Sequence, residues 1–412
     1  MLHGFGRKES ATDRRRSECS IPQEYVSQEY VPHIRTKLGH YLTSGLDYTV
    51  AEAEGPEEQF RIVLELSDNM PGKADLLDIC GAGFFRSFHS NKNQKEDINN
   101  CIQAYESSVH LTPQGHSDMS DRMNKLGVSY YHRFILIGNL SDISEAISYQ
   151  QKAVHLAPEG HADMPSWVNN LAGSFLHRFG RTGDLADISS AISYQQKAIC
   201  LTPEGHANMS SRLNNLGNSF QNRFKCKGDF ADISNAISYL QKAVDLTSES
   251  HVHMPKLLNN LGNSFQSRFE HTGDLSDISN AILNLQKAVH LTSKGDADMP
   301  IRANNLGVSF QSRFKHTGDL ADISDAISYQ QKAIDLTPEG NAYMPSRMNN
   351  MGISFQSRFK CTGDLADISN AISYQQRAIH LTPESHADMP SWLNTLGKIG
   401  RASCRERVCL AV

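Results

Sequence analysis

The sequence predicts an all-α protein, an α-solenoid of tandem antiparallel helix pairs. Three observations support this prediction. A phrase close to Asn-Asn-Leu-Gly recurs every ~45 residues without insertion or deletion. The last two full units are identical at roughly three quarters of their positions. Each unit holds two stretches whose apolar residues lie three and four positions apart, as on one face of a helix. The third residue of the phrase is Leu126, Leu171, Leu216, Leu261, Leu306, Met351 and Leu396.

The unit from Met209 to His251 shows each element in order. Its first stretch places apolar residues on one helix face, at Leu213, Leu216, Phe220 and Phe224. Gly228 is suited to end that helix, and Asp229 to cap the next one. The second stretch has its own apolar face, at Ile233, Ala236, Ile237, Leu240, Ala243 and Val244. One pair cannot cover both apolar faces, so successive pairs must stack on each other.

Glycine, alanine and proline mark particular places in the repeat. Small residues at Gly217, Ala236 and Ala243 indicate where helices approach closely. Proline recurs near the start of the first helices, where its missing N–H costs nothing. These prolines are Pro165, Pro255, Pro300, Pro345 and Pro390.

Composition limits the function classes. Of the 412 residues, 39% are apolar and the formal net charge is −5. This balance can bury a core and gives no electrostatic reason to expect nucleic acid or a membrane surface. No run approaches the ~18 apolar residues that span a bilayer, and the N-terminus lacks the apolar core of a signal peptide. We expect a cytoplasmic protein.

Eight cysteines are scattered along the chain without a CxxC pair. Cys226 and Cys361 occupy the same place in units three repeats apart, farther than the ~7 Å that a disulfide allows between Cα atoms. Reduced thiols are therefore expected, as is usual in the cytosol.

The unit resembles the tetratricopeptide repeat. Leu306-Gly307 is followed at that family's spacings by Phe310, Ala326, Ala333 and Pro338. The unit is longer, ~45 residues against ~34. In this it is similar to kinesin light chain repeats and to long fungal arrays that often precede a CHAT protease domain. The resemblance implies a right-handed superhelix whose first helices line a concave groove that binds protein or peptide partners.

Four segments are expected. Residues 1–23 are basic and polar, which favours a disordered arm, and residues 24–78 contain diverged N-terminal helical repeats. The tandem array covers residues 79–397. Residues 398–412 are unlike the repeats, and the string from Ile399 to Val408 is one translation of a common sequencing adapter, so we interpret this segment as an artefact.

Asparagine and glutamine form the candidate binding surface. The first asparagine of each pair, on the polar side of the first helix, matches ligand-facing positions of the tetratricopeptide family. An amide both donates and accepts, so it can hold a peptide backbone of any sequence. The alternative is that these amides bond the backbone or neighbouring side chains between repeats. The candidates are Asn124, Asn169, Asn214, Asn218, Gln221, Asn259, Asn263, Gln266, Asn304, Gln311, Asn349 and Gln356.

Other polar residues also recur once per repeat. One arginine near the end of the first helix and one aspartate near the start of the second favour ion pairs or caps between helices, with binding of acidic ligands as the alternative. A histidine in the turn between repeats, such as His161, is replaced by Asp296 and Asn341 in other units. This exchange favours a role in the loop or cap over metal binding.

No nucleophile elbow, P-loop, HExxH or dinucleotide fingerprint occurs. We therefore expect no enzyme activity, no cofactor and no metal site. Three hypotheses stay open. The first is an adaptor that binds peptides, and the second is the regulatory arm of a larger protein with an effector such as a CHAT protease. The third is self-association through the uncapped C-terminal end of the array.

Overall fold

The computed structural model describes residues 55–90, 94–383, 386 and 389–397. This part of the chain is helical with no β-strand, which confirms the predicted all-α class. It forms two compact units, an N-terminal unit up to His206 and a C-terminal unit from Ala207. The expected arm at 1–23 and the expected artefact at 398–412 lie outside the described residues.

The N-terminal unit contains seven described helices. They are α1 (Pro56–Glu65), α2 (Lys73–Ser90), α3 (Gln94–Leu111), α4 (Met119–Ile137), α5 (Leu140–Leu156), α6 (Met164–Thr182) and α7 (Leu185–Cys200). The division expected between residues 78 and 79 stays a prediction, and α2 runs across it.

The C-terminal unit repeats the same alternation of a longer first helix and a shorter second helix. Its helices are α8 (Met209–Lys227), α9 (Phe230–Asp245), α10 (Met254–Thr272), α11 (Leu275–Leu291), α12 (Met299–Thr317), α13 (Leu320–Asp335), α14 (Met344–Thr362) and α15 (Leu365–His380). A further helical stretch covers 389–397. In both units a first helix packs on its second helix, and that helix packs on the next first helix.

The Leu-Gly step of the motif lies where the two helices of a repeat come closest. A Cβ atom added to Gly262 would lie 2.7 Å from Leu285 Cγ and 3.1 Å from the carbonyl oxygen of Ala281. Glycine therefore allows α10 to pack directly against α11, as predicted from the equivalent Gly217. One repeat carries Ala172 at this position.

The predicted caps are present in each complete repeat from α4 onward. Gly228 ends α8 with φ 69°, in the left-handed region that favours glycine. The Asp229 carboxylate then accepts a hydrogen bond from the Ala231 N–H at 3.0 Å, which satisfies one free donor at the start of α9. Proline lies in the first turn of α6, α10, α12 and α14.

The turn between repeats is held by a side chain that accepts a backbone N–H two residues later. His161 Nδ1 accepts from Asp163 at 3.2 Å, and Asp296 and Asn341 make the same bond with their oxygens. The predicted loop role of the histidine is thus confirmed. Within the described ranges, no group of histidine, cysteine and acidic side chains could hold a metal ion.

The five described cysteines are free thiols, as expected. Burial raises the pKa of Cys80 and of Cys101 to about 12, so both thiols are protonated at neutral pH. None of the described helices is long and apolar enough to cross a membrane.

Candidate functional site

The first helices of each unit lie next to one another. In the C-terminal unit α8 contacts α10, α10 contacts α12, and α12 contacts α14, while in the N-terminal unit α4 contacts α6. Equivalent positions on successive first helices therefore form rows across a common face. All the predicted site residues lie on these helices.

The paired asparagines of the C-terminal unit bond to each other from repeat to repeat. Asn260 Nδ2 donates to Asn214 Oδ1 at 2.9 Å, and the second asparagine of each later repeat bonds in the same way. The equivalent bonds are Asn305 to Asn259 at 3.0 Å and Asn350 to Asn304 at 3.2 Å. We call Asn214, Asn259 and Asn304 the first row, and Asn260, Asn305 and Asn350 the second row. The contact between repeats, which the sequence left open as an alternative, is thus present.

These bonds occupy the oxygen of each first-row amide. In the described part of the chain, the Nδ2 groups of Asn214 and Asn304 donate to no protein atom. The bonded second-row partner fixes how each first-row side chain is turned. Asn259 Nδ2 uses one of its two N–H groups to donate to Asn260 Oδ1 at 3.5 Å, so each first-row amide keeps at least one N–H without an acceptor in this part of the chain. The first row is therefore an ordered series of amide donors.

The row ends where the asparagine pair is interrupted. Asn349 Oδ1 is buried without a hydrogen-bond partner. Thr395 stands where the next second-row asparagine would be, and its hydroxyl donates to the Ser391 carbonyl instead. In the N-terminal unit the oxygen of Asn124 is also buried without a partner. The amide row is thus a feature of the C-terminal unit.

Glutamines about two turns further along the same helices make a second set of contacts between repeats. Gln311 Nε2 donates to Ser354 Oγ at 2.6 Å, and Gln266 accepts from Ser309 and donates to Glu270. Among the candidates, the buried ones are Asn124, Asn214, Gln221 and Gln311. The half-buried ones are Asn169, Asn218, Asn259, Asn263, Gln266, Asn304, Asn349 and Gln356.

The N-terminal unit carries a cluster of histidines and aromatic rings instead. The ring centroids of His89 and His132 are 5.1 Å apart. Those of Phe85 and His132, and of Tyr131 and His177, are also separated by 5.1 Å. Burial lowers the pKa of His132 and of His177 to about 4, so both rings are neutral at pH 7. This cluster was not predicted from the sequence, where only the histidines that recur in the turns were considered. The later repeats carry polar residues without a ring at the position of His132 and His177, namely Asn222, Ser267, Ser312 and Ser357. This difference between repeats could have indicated the cluster.

The repeated arginine and aspartate form bidentate ion pairs between the two helices of a repeat. Arg178 Nε lies 2.9 Å from Asp187 Oδ2, and Arg178 Nη2 lies 2.6 Å from Asp187 Oδ1. The hydrogen bonds that Arg178 donates to Asp187 raise the pKa of Arg178. The same guanidinium lies 5.4 Å above the Phe175 ring. Six described repeats make this pair, which confirms the predicted role in the fold.

No family model and no curated protein matches the chain. Solved structures are similar to it at low identity. BtubC (BKLC) from P. vanneervenii is 17% identical, with 61% of this chain and 90% of that chain covered and a TM-score of 0.40. A putative kinesin light chain with TPR-like repeats from Podosopora anserina is 10% identical, with 53% and 98% covered and a TM-score of 0.39.

A third similar structure is the Cut9–Hcn1 hetero-tetramer of the APC/C, 15% identical, with 85% of this chain and 68% of that chain covered and a TM-score of 0.43. The predicted link to a CHAT protease domain stays a prediction. The described part of the chain is an array of consecutive helix pairs, and TPR proteins, including one with kinesin-light-chain TPR-like repeats, are among the structures similar to it.

Proposed function

We propose that the protein is a non-catalytic scaffold that binds extended peptide segments of partner proteins on the first-helix face of its C-terminal unit. The observation that carries this proposal is the first row, whose oxygens are bonded within the protein and whose Nδ2 groups each keep at least one N–H without an acceptor among the described residues. A bound peptide has backbone carbonyl groups, which are the acceptors that such donors need.

The spacing of the row suits an extended chain. Packed helices lie about 8–10 Å apart, so successive first-row amides have a similar separation. An extended peptide rises ~3.3 Å per residue, so each amide would meet roughly every third peptide residue. Contacts to the backbone do not select a sequence. Selectivity then depends on the positions that vary between repeats, such as Asn218, Asn263, Val308 and Ile353.

The repeated character of the polar residues favours a scaffold over an enzyme. A catalytic site needs unlike groups that converge at one place. Here the arginines and aspartates are paired in the fold, and the histidines of the turns accept backbone hydrogen bonds. Lack of catalysis and a cytoplasmic location are part of the proposal.

The test uses two matched triple variants of the full chain and peptides selected on the wild type from a displayed random library. The first-row variant changes Asn214, Asn259 and Asn304 to Ala, and the second-row variant changes Asn260, Asn305 and Asn350 to Ala. Both remove the same three bonds between repeats, so we expect equal losses of thermal stability. Only the first-row variant also removes the donors to the peptide, so it should bind about tenfold or more weakly.

Calorimetric titration with the selected peptides measures the difference. Equal loss of affinity in both variants would mean that the asparagines act only through the fold, and the proposal would be wrong.

A further inference from the structure

The end of α4 exposes several large apolar side chains that lie close together in the sequence. Ile135, Leu136 and Ile137 are 50%, 40% and 48% exposed, and Leu140 just beyond the turn is 47% exposed. We call these four residues the α4 patch. Their summed apolar surface is on the order of a few hundred Å², the size at which an exposed patch usually marks an interaction site.

The fold does not need apolar residues at the first three of these places, whereas the position of Leu140 is apolar in every later repeat, as at Leu185. The five later first helices carry mainly charged and polar residues at the positions of Ile135, Leu136 and Ile137. Those residues are Gly180-Arg181-Thr182, Lys225-Cys226-Lys227, Glu270-His271-Thr272, Lys315-His316-Thr317 and Lys360-Cys361-Thr362. All six of these first helices end in the same glycine cap. The apolar triplet therefore reflects something other than helix termination.

A positive charge borders the α4 patch. The Arg181 guanidinium lies 5.6 Å above the Phe134 ring, and its Nη2 is 2.9 Å from where a Cβ on Gly138 would be. Gly138 lies between Ile137 and Leu140 in the chain. In the described part of the chain no carboxylate pairs with Arg181, whereas the neighbouring Arg178 is paired with Asp187. An exposed cation thus remains at the rim.

The area of the α4 patch indicates whether it binds a second copy of this chain or a smaller ligand. A stable dimer of ordinary size buries ~800 Å² on each partner, well above what four half-exposed side chains offer. A short segment can bury its own apolar residues on such a patch. The unpaired Arg181 favours a segment with a carboxylate beside those residues.

We propose that the α4 patch docks a short amphipathic segment of a partner protein, with its apolar residues on Ile135, Leu136, Ile137 and Leu140 and an aspartate or glutamate paired with Arg181. This site lies in the N-terminal unit and uses none of the asparagines of the proposed peptide site.

The test again uses the full chain and a displayed random peptide library. The swap variant Ile135→Lys, Leu136→His and Ile137→Thr installs the residues of α12, where the same helix end is formed, so it should fold normally. Selection on the wild type, with the swap variant as counter-selection, should enrich peptides with apolar residues next to Asp or Glu. The swap should weaken their binding by more than about tenfold, and Arg181→Glu by about fivefold or more.

A peptide in which the acidic residue is changed to Lys should bind Arg181→Glu better than it binds the wild type. The first-row variant should bind these peptides normally, which separates this site from the proposed peptide site. Three outcomes would overturn the proposal: no peptide that the swap weakens, dimerisation of the wild type that the swap abolishes, or swap-sensitive binding to phosphatidylserine vesicles with no such peptide.

Discussion

The two units have the same helix pairs but different chemistry on the first-helix face. In the C-terminal unit that face carries asparagines bonded from repeat to repeat, as between Asn260 and Asn214. In the N-terminal unit it carries the rings around His132 and His177, and the oxygen of Asn124 is buried without a partner. The contrast teaches that positions which build the repeat are kept in both units, whereas positions that contact the neighbouring first helix differ.

The kept positions have a common physical reason. The glycine at the closest approach and the arginine–aspartate pair act within one repeat, so they recur along the array, with Ala172 as the exception to the glycine. The asparagine bonds and the histidine cluster act between neighbouring repeats. They form only where both neighbours supply suitable partners, so they can differ between units of one chain.

The largest expected effect is a selective loss of stability of the N-terminal unit in mild acid. Burial holds the pKa of His132 and of His177 at about 4 in the folded state, against about 6.5 when unfolded. The stability that the neutral rings give to the N-terminal unit is complete above pH ~6.5. It is lost as the pH falls towards ~4, because the unfolded chain then binds protons that the folded unit does not. The free energy of unfolding falls by up to about 3 kcal/mol for each ring over this pH range. Amide hydrogen exchange of each unit, measured as a function of pH, reports this loss of stability.

The control is His132→Asn with His177→Asn, which installs the residue found at Asn222. The charges near the two rings are His89 and Arg181, and both stay in the variant. We expect the N-terminal unit of the variant to keep more of its pH 7 protection at pH 5 than that of the wild type. An identical loss in both proteins would contradict the assignment.

A smaller effect is expected from glycines that differ in their surroundings. Gly262→Ala places a methyl group 2.7 Å from Leu285 Cγ and should lower the free energy of unfolding by about 1–3 kcal/mol. Gly173→Ala meets nothing within 4 Å in the helix interior of the N-terminal unit and should raise it by about 1 kcal/mol. Urea unfolding of both variants checks the signs. If Gly262→Ala were neutral, close packing would not explain the Leu-Gly step.

The smallest effect concerns buried glutamines of the second helices. Gln330 is fully buried, and neither its oxygen nor its nitrogen has a partner, so Gln330→Leu should stabilise the C-terminal unit by about 1 kcal/mol. In the N-terminal unit Gln150 accepts from Ser174 at 2.7 Å, so Gln150→Leu should give no gain. The natural chain already carries Leu240 and Leu285 at this position.

Thermal melting compares the two glutamine variants. Equal shifts would mean that the hydrogen bond of Gln150 does not distinguish the units.

The sequence predicted the features that depend on one repeat. Helix pairs, the Gly228 and Asp229 caps and the pairing of arginine with aspartate follow from local spacing and from the needs of each helix end. The partner of Asn214 could not be predicted, because an amide can bond the backbone, a neighbour or water with similar ease. The distance to Asn260 is set by the packing of α8 on α10.

The histidine cluster and the α4 patch were not predicted from the sequence, and the reason is the same for both. Whether His132 meets His89, or Ile135 stays exposed, depends on how neighbouring repeats cover each other. Both sites occupy positions where one or two repeats differ in sequence from the other repeats. Departures between aligned repeats were therefore the available signal.

The measurement that tests the account most directly is the affinity of selected peptides for the first-row and second-row asparagine variants, together with their melting temperatures. We expect the two variants to melt alike and the first-row variant to bind about tenfold or more weakly. If both variants melt alike and bind alike, the amide row only joins neighbouring repeats, and its proposed role in peptide binding is contradicted.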